Sequence, residues 1–264
     1  MMSGTAASII IPVYNMADTL DKAIYSALRQ TLKSIEVIIV NDGSTDSSAD
    51  CAARFLKGGA EYDRRIHYAM IRHQGKLAAC NRGIEIAQGE FVTILDADDT
   101  LPDTSVQTRA HVLRNNPAAV AVFGDAQYMD ACGNPYRIRR SRPTSSIQDL
   151  LSQLRAPVVG PSLMFRKSSL EKTVPFDTSF ARSADKHIAC ELLRAGKILY
   201  TIEIVYNYRT RRRPGTVTSR IRQWYDLCRI IARYCSFPEN VTLTVRQTFF
   251  HLAKLIYECF FWKK

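Results

Sequence analysis

The chain lacks the signals of several protein classes, and these absences narrow its function. Its 264 residues contain no uncharged apolar run of the roughly 18 residues that a membrane-spanning helix needs. The seven cysteines are scattered and form no C-x-x-C pair. The start of the chain has neither the basic segment nor the long apolar core of a secretion signal. We therefore expect reduced, buried cysteines and a cytoplasmic protein that meets a membrane, if at all, on its surface.

Common cofactor and nucleophile signatures are also missing. The dinucleotide fingerprint G-x-G-x-x-G is absent from the predicted strand-to-helix turns, so we expect no nicotinamide cofactor. Gly75-Lys76 lacks the preceding glycine pattern of an ATP-hydrolysing phosphate loop. The five histidines show no metal-ligand spacing, and no serine or cysteine nucleophile motif is visible. The carboxylates are therefore the remaining candidates for catalytic or ligand-binding groups.

Positive charge is concentrated at the end of the chain. The formal net charge is +11, and residues 201–264 alone hold 12 Lys and Arg against 4 Asp and Glu. The pattern of segment 218–264 predicts a basic amphipathic helical extension. Its apolar stripe consists of Val245, Phe249, Leu252, Ile256 and Cys259. Such a face suits a membrane surface, or it packs on the catalytic domain or a second subunit. Both interpretations stay open.

Short β-branched runs alternate with helical patterns in the first half of the chain. The runs predict strands at 8–13, 36–40, 66–71, 91–95 and 119–123. Apolar residues at three-and-four spacing predict helices at 18–28, 45–56, 75–87 and 103–114. Continuous apolarity is typical of buried parallel strands. We therefore expect an α/β fold with a Rossmann-like, mostly parallel central sheet flanked by helices.

The rhythm changes after residue 125. A Gly-Asn-Pro turn within 127–138 predicts an inserted hairpin. A strand at 158–165, a helix at 185–195 and a short strand at 198–200 are expected to follow.

The sequence Asp96-Ala97-Asp98-Asp99 follows a predicted strand directly. Ligands bind beyond the carboxyl ends of strands in an open α/β sheet. Crowded carboxylates repel one another unless a cation or protons offset their charge, and a hard divalent cation holding a diphosphate meets that need. The alternative is that Asp98, Asp99 and Thr100 merely cap the next helix.

Four segments in this order resemble the family 2 glycosyltransferases of the GT-A fold: 9–15 (IIIPVYN), 37–46 (VIIVNDGSTD), 78–84 (AACNRGI) and 91–99 (FVTILDADD). A fifth, Pro175-Phe-Asp followed by Ala184-Asp185, is similar to the acceptor-side signature of that family. The resemblance covers about residues 7–217. It implies a glycosyltransferase domain over 1–217, with a nucleotide-binding half at about 1–125 and an acceptor-binding half at about 126–217.

The resemblance also implies roles for individual residues. The nucleotide-sugar site would comprise Pro12, Val13, Tyr14, Asp42, Lys76 and Asp96. Within that set, Asp42 would contact uracil or ribose and Asp96 the ribose. Asp98 would ligate Mn²⁺ or Mg²⁺, and Asp185 would act as general base.

The chain departs from the family pattern at two positions. Cys80 stands where the family commonly has Arg, and Ala184 where it usually has Glu. Lys76, one turn before Cys80, is a candidate substitute for the missing Arg. The Q-x-x-R-W pattern of processive synthases is absent, which favours transfer of a single sugar.

These motifs together predict an inverting, metal-dependent glycosyltransferase. It would move one sugar from a nucleotide-sugar donor, with UDP preferred, to a glycan or lipid-linked acceptor in cell-surface polysaccharide synthesis. We expect a cytoplasmic protein, which residues 218–264 would place at the inner face of the cell membrane if the membrane interpretation of that segment holds; no nucleic-acid partner is expected. A catalytically degenerate relative and a basic module that binds nucleic acid or membrane remain alternatives.

Overall fold

A computed structural model describes residues 5–57, 65–152, 162–170, 174–210, 217–236 and 239–248. The predicted alternation of strands and helices is present throughout the first half. The strands are β1 (Ala7–Val13), β2 (Ile35–Asn41), β3 (Ile66–Met70), β4 (Phe91–Ile94), β5 (Ala119–Met129), β6 (Pro135–Arg139), β7 (Met164–Arg166) and β8 (Lys197–Arg209). The helices are α1 (Leu20–Leu28), α2 (Ser48–Leu56), α3 (Lys76–Ile86), α4 (Ser105–Arg114), α5 (Ile147–Ser152), α6 (Lys167–Leu170), α7 (Ala184–Ala195), α8 (Val217–Tyr234) and α9 (239–248).

The strands form one sheet, as expected. Strands β3, β2, β1 and β4 lie side by side and run parallel. Strand β7 joins β4 and β5 in antiparallel pairing, β6 pairs antiparallel with the end of β5, and β8 runs parallel to β5. The parallel order brings the carboxyl ends of β1, β2 and β4 to one edge of the sheet. Predicted site residues follow each of those three ends.

Both faces of the sheet are buried, which explains the continuous apolar strands. Ile9 and Ile11 of β1 face a cluster that contains buried residues of α1, α2 and α4. Ile10 faces the opposite cluster, which contains residues of α3, α7 and α8. Alternate side chains of one strand thus pack on opposite layers of helices.

Two predicted strands are longer than expected. The strand predicted at 119–123 runs to Met129, and the one predicted at 198–200 runs to Arg209. Polar residues such as Glu203 and Asn207 interrupt the apolar signal in β8, yet pairing with β5 continues to Arg209. The hairpin prediction is confirmed by β5 and β6, whose connection contains Gly133 at φ +98°. Residues 158–161 of the predicted 158–165 strand lie outside the described residues.

Helix α8 docks on the domain. Leu227, Ile230 and Ile231 are at most 1% exposed and belong to the same core as α3 and α7. The Arg229 guanidinium lies 4.4 Å from the ring centroid of Phe180, in a 3₁₀ turn over Thr178–Ser183. Among the described residues, no helix is long and apolar enough to cross a membrane. Most of the predicted apolar stripe, from Phe249 to Cys259, lies outside the described residues.

Candidate active site

The acidic motif forms a loop between the end of β4 and the start of α4. Asp96 and Asp98 are half-buried, whereas Ala97 and Asp99 between and after them are buried. The three carboxylates each offer an oxygen, and these oxygens lie within 4.8 Å of one another. An oxygen-only cluster of this size suits a hard divalent cation such as Mg²⁺ or Mn²⁺.

Asp99 is held by strand β8. The Tyr206 hydroxyl donates to Asp99 Oδ2 at 2.8 Å, and the Arg209 backbone N–H donates to Asp99 Oδ1 at 2.6 Å. The same Tyr206 hydroxyl accepts a hydrogen bond from the Asp96 backbone N–H at 3.2 Å. Burial, and repulsion by Asp96 and Asp98, raise the pKa of Asp99 to about 8. One phenol therefore joins the beginning and the end of the acidic loop.

The helix-capping alternative is wrong for this loop. Helix α4 begins only at Ser105, and Thr104 occupies its N-cap position. Asp99 instead bonds to a strand more than 100 residues later in the chain.

Arg209 supports the same loop through its side chain. Its Nε donates to the Asp98 carbonyl at 3.0 Å, and its Nη1 donates to the Ala131 carbonyl at 2.8 Å. The residue is 6% exposed. Sequence reasoning missed both Tyr206 and Arg209, since no local pattern connects β8 with the acidic motif.

Lys76 reaches the acidic loop from the first turn of α3. Its Nζ lies 2.6 Å from Asp96 Oδ1. Desolvation lowers the pKa of Lys76, but the charges of Asp96 and Asp185 more than offset this, and the net pKa lies above its ordinary value. Lys76 therefore stays cationic beside the carboxylate that is predicted to contact ribose.

Asp185 occupies the first turn of α7, with an exposed side chain at the mouth of a pocket that Lys76 also lines. Surrounding protein desolvates its carboxylate and raises its pKa, and Asp96 adds to the shift while Lys76 opposes it. Asn81 of α3 binds the segment that precedes α7: its side chain pairs with both backbone groups of Phe176 at 2.8 and 3.0 Å. This contact gives the Asn81 and Pro-Phe-Asp motifs a structural role.

Asp42 organises the turn before α3. Its buried carboxylate accepts hydrogen bonds from the backbone N–H groups of Gln74 and Gly75, both at 2.8 Å. Its Oδ2 also lies 2.9 Å from His73 Nδ1. A carboxylate has about four acceptor sites, so these three contacts leave one for a ligand. The contact of Asp42 with a nucleotide stays a prediction.

Tyr14 lies next to this turn, just beyond the end of β1. Its ring stacks on the His73 imidazole with centroids 3.9 Å apart and planes inclined by 18°. Tyr14 is 41% exposed, whereas Pro12 and Val13 are buried in β1. An exposed aromatic pair at the sheet edge suits stacking with a nucleobase.

A small pocket lies beneath Lys76 and Asp185. Cys80 is its third polar lining residue, and burial raises the pKa of its thiol to about 12, so it is neutral. The remaining wall is apolar and consists of Leu77, Ile94, Leu163, Phe165, Ala184 and Ile188.

The fold and the acidic site define a class of enzyme that comparison with known proteins identifies. A family model described as glycosyl transferase family 2 matches residues 8–174. The chain therefore belongs to glycosyltransferase family 2 and is a glycosyltransferase. The matched range includes Asp42, Lys76, Asp96 and Asp98, whereas Asp185 lies beyond its end.

Glycosyltransferase GlyG of Streptococcus pneumoniae serotype 4 is 27% identical over 232 residues, which cover 83% of this chain and 74% of GlyG. The chain spans only 34% to 39% of three longer curated relatives that it also matches.

Two solved structures share the fold. Residues 1–349 of Staphylococcus aureus TarS superpose with a TM-score of 0.69 at 14% identity, covering 97% of this chain and 75% of that one. TarS has also been solved with UDP and with UDP-GlcNAc. The mannosyltransferase PcManGT of Pyrobaculum calidifontis, solved with GDP-Man and Mn²⁺, gives a TM-score of 0.67 at 20% identity over 95% of this chain and 70% of its own. The predicted GT-A fold is thereby confirmed.

Proposed function

We propose that the protein is an inverting, metal-dependent glycosyltransferase that transfers one sugar from a nucleotide-sugar donor, with UDP preferred, to a glycan or lipid-linked acceptor. The observation that carries this proposal is that Lys76 connects the acidic loop with the pocket that Asp185 lines. Asp96 and Lys76 are in direct contact, and Lys76 shares the pocket wall with Asp185. Solved neighbours of the same fold with bound nucleotide sugars support the donor class.

A divalent cation fits the acidic loop. Asp98 is the proposed protein ligand, and Asp96 is proposed for the ribose because Lys76 already pairs with its carboxylate. Asp99 has both oxygens committed to β8, so it positions the loop. Mg²⁺ or Mn²⁺ keeps water and substrate phosphates in its shell, so one or two protein carboxylates suffice. When bound, the cation stabilises the negative charge on the leaving diphosphate.

Asp185 is the proposed general base. Inverting transfer needs a carboxylate that takes the proton of the acceptor hydroxyl as that oxygen attacks the sugar carbon from the face opposite the diphosphate. The raised pKa of Asp185 increases its basicity, and Lys76 nearby favours its ionised state. Inversion requires that this base and the diphosphate site lie on opposite sides of the bound sugar.

The decisive test is release of nucleoside diphosphate from a panel of nucleotide sugars, with and without Mn²⁺ or Mg²⁺. We expect metal-dependent release from one donor, and loss of that release in Asp98→Ala. With an acceptor, Asp185→Asn should lower kcat by at least about 100-fold, as for loss of a general base. NMR of the product should show an anomeric configuration opposite to that of the donor.

Asp50→Asn is the matched control, since it removes an exposed carboxylate on α2, far along the chain from the acidic loop. It should leave release and transfer unchanged. Absence of release from every donor, together with absence of metal-dependent UDP or GDP binding, would refute the proposal in favour of a degenerate relative. Retention of configuration would refute inversion alone.

We also propose that the C-terminal extension contacts an anionic membrane surface, the site of lipid-linked acceptors. Ile221 and Tyr225, one turn apart on α8, are 53% and 58% exposed, and Arg222 beside them is exposed. An exposed apolar pair next to cationic side chains suits the headgroup region. Co-sedimentation with vesicles containing phosphatidylglycerol should fall in Tyr225→Asp, and equal binding to neutral vesicles would contradict an electrostatic contribution.

A further inference from the structure

The pocket beneath Lys76 and Asp185 has an apolar interior and a charged mouth. Six of its nine lining residues are apolar, and Leu77, Leu163 and Phe165 are at most 3% exposed. Two positions at which the chain departs from the family pattern, Cys80 on α3 and Ala184 on α7, line this one pocket from two different helices. Both are small and uncharged, so neither adds charge to the interior.

The size of the pocket limits what it can hold. Its cavity volume is about 20 Å³, whereas one water-sized group needs about 10–15 Å³. The pocket therefore accepts a single group such as a methyl and excludes a whole sugar ring. Water gains little there, because an apolar wall offers it few hydrogen bonds.

The position of the pocket indicates which part of a substrate reaches it. In the proposed reaction the transferred sugar lies between the diphosphate, at Asp98, and the general base, Asp185. The pocket opens beside Asp185 and beside Lys76, which contacts Asp96 of the acidic loop. A substituent of the donor sugar is thus the group that lies over the pocket.

The charged mouth favours one substituent. An acetamido group carries a methyl for the apolar wall, a carbonyl that accepts hydrogen bonds and an N–H that donates them. Lys76 at the mouth supplies a donor and Asp185 an acceptor. The methyl group of a 6-deoxy sugar would fill the same space but could not form hydrogen bonds with Lys76 or Asp185.

We propose that this pocket receives the methyl of an acetamido substituent on the donor sugar, so that the enzyme selects N-acetylated nucleotide sugars. This inference rests on the proposed function and narrows its donor. A methyl in a fitted apolar pocket gives about tenfold discrimination at the lower end of the usual range.

The test compares matched donors that differ only at the substituent. Dissociation constants with Mn²⁺ and kcat/KM for diphosphate release are measured for UDP-GlcNAc against UDP-Glc, and for GDP-6-deoxymannose against GDP-mannose. We expect UDP-GlcNAc to be favoured over UDP-Glc by about tenfold in both quantities. Free UDP and GDP serve as references for the nucleotide site.

Variants that fill the pocket locate the selectivity. Ala184→Val on α7 and Cys80→Val on α3 each narrow it from a different wall, so one can be used if the other fails to fold. Each should reduce the tenfold preference to less than about threefold while free UDP binds as in the wild type. Ala78→Val, at a half-buried position of α3 outside the pocket lining, is the matched control and should keep the preference.

Each result has one consequence. Equal use of UDP-GlcNAc and UDP-Glc, with intact UDP binding, would overturn the inference and leave the proposed function standing. The same holds if only the 6-deoxy pair is discriminated, or if the filled variants keep the wild-type preference. Absence of UDP and GDP binding would overturn the proposed function and this inference with it.

Discussion

Tyr206→Phe removes one hydroxyl and leaves the buried ring in place, so it tests how the acidic loop is held. Tyr206 is fully buried, and its hydroxyl makes two hydrogen bonds, to Asp99 Oδ2 at 2.8 Å and from the Asp96 N–H at 3.2 Å. Without it, Asp99 keeps the Arg209 N–H, but the Asp96 N–H loses this acceptor.

The expected cost follows from those two bonds. A hydrogen bond to a carboxyl group contributes about 1.5–3 kcal/mol when the group is charged and about 1 kcal/mol when it is neutral. With a pKa of about 8, Asp99 is mostly neutral near neutral pH, so the smaller value applies. Adding a weaker second bond, we expect the free energy of unfolding to fall by about 1–2 kcal/mol. Outer groups that support a metal site typically affect metal affinity by about 10–100-fold. Because Tyr206 holds the loop that carries the proposed ligand Asp98, Mn²⁺ binding should weaken by at least about tenfold.

Urea denaturation followed by fluorescence measures the first quantity, and calorimetric titration with Mn²⁺ measures the second. Tyr208→Phe, two residues later on β8 and 36% exposed, is the control and should change stability by less than about 0.5 kcal/mol. If Tyr206→Phe unfolds and binds Mn²⁺ as the wild type does, then the phenol does not hold the loop and our reasoning is refuted.

Three further predictions follow from single contacts. In pH–rate profiles, the acid limb of kcat/KM should lie above the usual carboxyl range because desolvation by the surrounding protein raises the pKa of Asp185; Lys76→Met should move that limb to higher pH by removing the charge that opposes the shift, and an unmoved limb would exclude this electrostatic influence. Gly89→Ala should cost about 1–3 kcal/mol in urea denaturation, because its Cβ would lie 2.6 Å from backbone atoms of Ala7 and Ser8; a negligible cost would mean that β1 shifts freely. Asp42→Asn leaves one of two partly buried backbone N–H groups without its acceptor, so a loss of about 1–3 kcal/mol is expected in thermal unfolding, and unchanged stability would contradict this role of the carboxylate.

Local sequence patterns were sufficient to predict the parallel part of the sheet, and they indicated candidate residues for the site. The parallel strands were visible because both of their faces are buried, which leaves no polar alternation. Asp96 and Asp98 were visible because they follow a buried strand directly, whereas Asp185 was identified only by its resemblance to the acceptor-side motif of the family. Their roles rested on family motifs, and these roles remain proposals.

Strand β8 could not be predicted in full from its sequence. Its residues alternate irregularly between apolar and polar because the strand pairs with β5 while several of its side chains stay exposed, and its end supports the active-site loop. Asp99 was similarly interpreted as a possible helix cap. No residue near it in the chain indicates that it bonds to Tyr206 and Arg209, which lie more than 100 residues later.

The sequence by itself determined the α/β architecture, the order of the motifs and the candidate carboxylates, because these depend on periodicity and on neighbours along the chain. Only the tertiary structure decided which carboxyl groups meet and what holds them. The bonds of Tyr206 and Arg209 to the acidic loop, the contact of Lys76 with Asp96, and the shared pocket of Cys80 and Ala184 all join segments that are distant in sequence. Such contacts depend on how helices and strands pack, and no local pattern encodes them.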